Sequence, residues 1–125
     1  GNISRAQSEL VVAQRTVNRV QLHLKWRLAE VFKRYTVARN QVREYSRPEG
    51  ILENSQLALD QISRAYRAGE SPYLDLLTAQ RINSENRLAY VKSLGNLWEA
   101  MVEMDGLLLK DSLESMELDD LESAP

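Results

Sequence analysis

Every seventh residue from Ile3 is apolar or aromatic: Ile3, Leu10, Val17, Leu24, Val31, Ala38, Tyr45, Leu52, Leu59 and Tyr66. In a chain that is 43% hydrophobic, an unbroken run of ten arises by chance on the order of once in a thousand sequences. An α-helix turns once every 3.6 residues, so a strict repeat of seven requires a helix held along a supercoiled seam. The companion position is less regular. Ala13 and Val20 lie three residues beyond the repeat, whereas Leu28, Tyr35 and Val42 lie four beyond it. The 4-4-3 spacing of Val20, Leu24, Leu28 and Val31 predicts a local eleven-residue step that relaxes the left-handed twist.

Two stretches interrupt this pattern. In "YSRPEG", Tyr45–Gly50, Pro48 removes a backbone donor and crowds the preceding turn. Ser46 and Glu49 stand at capping-box spacing, as if a new helix started there. Tyr45 and Leu52 nevertheless stay in phase across the proline, which favours a kink at 46–50 over a reversal. The expectation is one kinked helix over residues 3–68, roughly 100 Å long at ~1.5 Å per residue. In "AGESP", Gly69 reads as a helix C′ position, Ser71 as the next N-cap and Pro72 as the first helical residue. A connection this short forces an antiparallel hairpin with its tip at 69–72.

The returning helix, 72–109, carries two apolar stripes. One is Leu74, Leu77, Leu88, Val91, Trp98 and Val102; the other is Tyr90, Leu94, Leu97, Met101, Met104 and Leu108. A two-helix hairpin needs one stripe, so the second predicts another partner. Gly95 within this helix suggests close helix approach beside Trp98. Residues 1–110 thus read as one all-α domain, a long antiparallel coiled-coil hairpin kinked near Pro48. A three-helix bundle folded back at Pro48 is the alternative for the isolated segment. Residues 111–125 read as an acidic tail with a frayed end.

Composition narrows the function classes. There is no Cys and a single His, His23, which argues against a zinc site or a His-based triad. No paired acids, phosphate loop or nucleophile–base set suggests an enzyme, and no cofactor is expected. No run of eighteen apolar residues suggests a membrane-crossing helix, and "GNISRAQSEL" has no signal-peptide pattern. Residues 1–50 carry ten Lys/Arg against four Asp/Glu; residues 51–125 carry six against fourteen. Opposite charge on antiparallel helices accounts for this asymmetry, and the basic residues form no stripe for nucleic acid.

Tyr66, Gly69, Leu74-Asp75, Leu77 and Ala79-Gln80-Arg81 resemble a Tyr-x-x-Gly, Leu-Asp-x-Leu, Ala-Gln-Arg pattern of the TolC-like outer-membrane efflux family. The continuation "LAYVKSLGNLWEAMVEMDGLL" is similar to that family's returning helix, and the resemblance covers about Val42 to Leu108. It implies a homotrimeric conduit whose β-barrel crosses the bacterial outer membrane and whose helices cross the periplasm. This chain would be the second periplasmic hairpin, meeting a periplasmic adaptor and an inner-membrane pump. No ten-residue alternating strands are visible, so membrane contact would come only through other parts of the parent.

The resemblance places Asp75 in a constricted entrance, where three copies would form an acidic ring favouring cations. Thr78 stands where the family often has a second acid. Asp75 also complements the helix dipole, and both roles can hold. Tyr66, Gly69, Glu70, Ser71 and Pro72 would form the tip and contact partners; Tyr66 also closes the apolar repeat. Arg81 falls on an apolar stripe, where pairing with Asp75 or Asp60, or extension into water, would be required. The structural seam is expected to include Leu24, Val31, Tyr45, Leu52, Leu59, Leu77, Leu88 and Trp98. Two other functions fit an antiparallel hairpin: a soluble coiled-coil scaffold and a periplasmic adaptor hairpin.

Overall fold

The computed structural model describes residues 1–123, and their regular structure is entirely α-helical. Helix α1 is Asn2–Ser46, α2 is Ile51–Arg67 and α3 is Tyr73–Ser123. The chain divides into two compact units, residues 34–99 and residues 1–33 with the chain from Ala100 onward.

In the unit of residues 34–99, rising numbers on one side meet falling numbers on the other. Ser93 Oγ donates to Gln41 Oε1 at 3.5 Å, and the rings of Tyr45 and Tyr90 lie 6.5 Å apart. Further along, Ser55 Oγ donates to Asn83 Oδ1 at 3.2 Å, and Tyr66 meets Tyr73 at 5.6 Å. The end of α1 and the whole of α2 therefore run antiparallel to α3. The bend at 47–50 is a kink, and the fold-back into three helices is not adopted. In the other unit α1 and α3 are again antiparallel: Val17 and Gln21 share a groove with Glu114 and Leu118, and Leu28 and Phe32 share one with Met104 and Leu108.

Burial along α1 follows an unbroken 4-3 alternation. Val17, Gln21, Leu24, Leu28 and Val31 are the covered positions in one unit; Tyr35, Ala38, Val42 and Tyr45 follow in the other. Leu24 and Val31 are buried, whereas Tyr45, Leu52 and Leu59 are half-buried. The predicted eleven-residue step is absent because Gln21, rather than Val20, occupies the seam; Val20 is exposed. Ile3 and Leu10 are exposed, and the covered positions of α1 begin at Val17, which shares a groove with Leu118.

The seam on α3 differs from the expected one. It follows Leu76, Ala79, Asn83, Asn86, Tyr90, Ser93 and Leu97, then Ala100, Met104 and Leu107, in strict 3-4 alternation. Leu77, Leu88 and Trp98 are not seam residues: they are 42%, 55% and 70% exposed. Position on the helix circumference decides burial, at 100° per residue, and side-chain bulk does not. The seam angle carries Ala79, Asn83, Ser93 and Ala100, while Leu88, Val91, Trp98 and Val102 stand on the outer face. The second expected stripe holds better, since Tyr90, Leu97 and Met104 lie on the seam. Leu94, Met101 and Leu108 flank it and stay partly open.

The returning helix does not stop at Leu109. Residues 111–123 continue α3, with Glu114 and Leu118 half-covered, rather than forming a separate tail. No Gly or Pro interrupts this stretch, and Leu118 extends the apolar spacing onto α1. Ala124 and Pro125, the end that was expected to fray, lie outside the described residues.

Candidate functional site

The reversal is built from the end of α2 upward. Ala68 is helical, with φ −81°, and Gly69 then takes φ +73°. Gly69 N–H donates to Tyr66 O at 3.0 Å and Glu70 N–H to Ala65 O at 2.8 Å. These two bonds form a Schellman motif, which satisfies carbonyls that the end of the helix would leave open. Glycine suits the left-handed position because it has no Cβ to clash.

Beyond it, Ser71 is half-buried, and α3 starts at Tyr73, one residue after Pro72. Asp75 N–H donates to Pro72 O at 3.1 Å, a tight first turn. The Tyr66 and Tyr73 rings, tilted 48° to one another, close the tip across the turn. Tyr66 is 41% exposed, so it ends the apolar repeat at the surface.

Asp75 and Thr78 are brought together. They share a shallow groove with Ala58 and Ile62 of α2 and with Ala79 and Ile82 of α3. Both are exposed, and the Thr78 hydroxyl donates to Leu74 O at 3.0 Å. Asp75 sits in the first turn of α3, where a carboxylate is favoured by the positive end of the helix dipole. Arg81 does not join this group. Its side chain is 70% exposed and lies 3.9 Å from Glu85, while Asp60 accepts a hydrogen bond from Gln56 at 3.0 Å. Arg81 stands on the outer face, so the burial that would have demanded a partner does not arise.

A polar layer in the seam was missed by the sequence reading. Asn83 is 7% exposed; it accepts from Ser55, and its Nδ2 donates to Gln56 Oε1 at 3.4 Å. Gln56 Oε1 also accepts from Arg87 at 2.5 Å. The signal was the 3-4 spacing of Ala79, Asn83 and Asn86, which a search for apolar residues passes over. His23 lies on an open surface with Leu22, Trp26 and Glu30. Gly95 has nothing within 4 Å of where a Cβ would stand, so it marks no close helix approach in this chain.

Among the described residues no group of three or more His, Cys, Asp or Glu is placed to hold a metal ion, and no helix is long and apolar enough to cross a membrane. No family model, curated protein or solved structure matches the chain.

Proposed function

We propose that the chain is a periplasmic helical hairpin of a TolC-like outer-membrane efflux or export conduit, with Gly69–Pro72 at its entrance end. The observation that carries this reading is the coincidence of the Tyr66-to-Arg81 block with a hairpin reversal. The residues that resemble the family's pattern span the Schellman turn and the first turns of α3. The outer face of α3 supports it: Leu74, Leu88, Val91, Trp98 and Val102 are more than half exposed, as a hairpin requires if it packs into a ring of others. On this reading the chain acts by shape and charge rather than by chemistry. Asp75 and Thr78 line the narrow end, and three Asp75 carboxylates around a three-fold axis raise the local cation concentration and resist closure. A periplasmic adaptor and an inner-membrane pump would be the partners.

The test is single-channel recording of the full-length parent in a planar bilayer. Asp75→Asn should reduce cation selectivity while the channel still forms. Unchanged selectivity would reduce Asp75 to a helix-dipole partner. An open reading frame without amphipathic strands would point to a coiled-coil scaffold, and flanking lipoyl-like β-segments would point to an adaptor hairpin.

A further inference from the structure

The bend at 47–50 has an internal arithmetic. From Tyr45 to Ser55 the chain advances ten residues, yet their neighbours on α3, Tyr90 and Asn83, are seven apart. Three residues are in excess on the bent side. The covered positions accommodate the same number. Up to Tyr45 the α1 seam alternates 4-3, and on α2 Leu52, Ser55, Leu59 and Ile62 follow 3-4-3, with Gln56 and Ser63 half-covered beside Ser55 and Ile62. Subtracting three residues turns the seven-residue step from Tyr45 to Leu52 into four, which continues the alternation onto Ser55, the residue that bonds Asn83.

We infer that Arg47, Pro48 and Glu49 are a three-residue insert looped out of the antiparallel coiled coil of residues 34–99, and that the insert is a joint. It interrupts the backbone ladder of the helix and leaves the seam uninterrupted. Absorbed into the helix, three residues would slide α2 along α3 by about 4.5 Å, at ~1.5 Å per residue, and part Ser55 from Asn83. Looping out avoids that slide, and the local chemistry favours it. Pro48 has no N–H to give to a helix. Glu49 takes a left-handed φ of 57°. Its N–H donates to Glu53 Oε2 at 2.8 Å, and its carbonyl accepts from Asn54 Nδ2 at 3.0 Å. Gly50 N–H returns to Arg47 O at 3.0 Å, and α2 then starts from Gly50 without a side-chain cap. The segment carrying the reversal is thus coupled to α1 mainly through their shared seam on α3.

The experiment compares two deletions in the full chain, both carrying Gly50→Ala so that each can form a continuous helix. Removing Arg47–Glu49 continues the 4-3 alternation directly from Tyr35 to Ile62. Its melting temperature should rise by roughly 5 °C, the scale expected in a domain this small when a strained residue and an open turn are removed. Amide exchange at Ile51 and Leu52 should slow by about tenfold, because their N–H groups gain carbonyls one turn back in Glu44 and Tyr45. Removing only Pro48 and Glu49 leaves the seam 100° out of place and should lower the melting temperature below the wild type's. A three-residue deletion that melts at or below the wild type, or that leaves exchange at Ile51 and Leu52 unchanged, overturns the proposal.

Discussion

Glu49 is the only non-glycine residue with a positive φ among the described residues, and its neighbour Gly50 is tightly enclosed. The two should respond to substitution in opposite ways. Glu49→Gly relieves a left-handed conformation that costs an L-residue about 1–2 kcal/mol, partly offset by the greater freedom of glycine in the unfolded chain. A net gain of up to about 1 kcal/mol in urea unfolding is expected. Gly50→Ala alone places a Cβ 2.7 Å from Arg47 O and 2.8 Å from Arg47 Cγ. It should destabilise by about 1–3 kcal/mol. At Gly69 the surroundings are open and only the backbone objects, so Gly69→Ala should cost about 1 kcal/mol. The Gly69 turn was legible in the sequence because the chemistry of a turn is local: Gly, Ser and Pro act within four residues of one another. The conformation at Glu49 was not, since nothing in "RPEG" shows which residue turns left-handed. Glu53 and Asn54, both beyond the motif, help to hold it there.

Element by element, legibility depended on side-chain size. The α1 repeat was readable because Leu24, Leu28 and Val31 are both apolar and on the seam. On α3 these two properties separate: Ala79, Asn83, Ser93 and Ala100 face inward while Trp98 and Leu88 face outward. Asn83 is the sharpest case. Asn83→Leu should raise the melting temperature by removing a polar group from the seam, yet broaden the spread of interhelix distances seen by spin-label pairs. A polar layer specifies one register where a uniformly apolar seam permits several. Gly95, on the outer face of α3 with open space around it, gives a complementary test. Gly95→Ala should stabilise the isolated chain by up to about 1 kcal/mol through helix propensity alone. The Tyr45–Leu52 spacing carries its own lesson. It suggested the correct kink for an incomplete reason, because its seven residues are a four-residue step with three looped out.

For the whole molecule, the question is what covers the outer face of α3. Val91, Trp98 and Val102 are well exposed and recur at helical spacing. Sedimentation of the purified chain should show concentration-dependent association. Trp98→Glu together with Val102→Glu should suppress it while leaving helical circular dichroism nearly unchanged, since neither side chain supports the seam. Full retention of association would place the contact elsewhere. The sequence could disclose that a second partner is needed, because two apolar stripes on one helix are visible as a pattern. It could not disclose which stripe remains open, because that depends on the register against α1.

The small side chains of the α3 seam also have a calorimetric consequence. Alanine, serine and asparagine bring little hydrocarbon out of water when the helices meet, and heat capacity on melting tracks the hydrocarbon hydrated. The dissociated chain should unfold with a heat-capacity increment well below the ~12–15 cal/mol/K per residue of ordinary globular domains. Its stability should therefore vary with temperature along a shallow, nearly straight curve, and the increment should grow once copies associate.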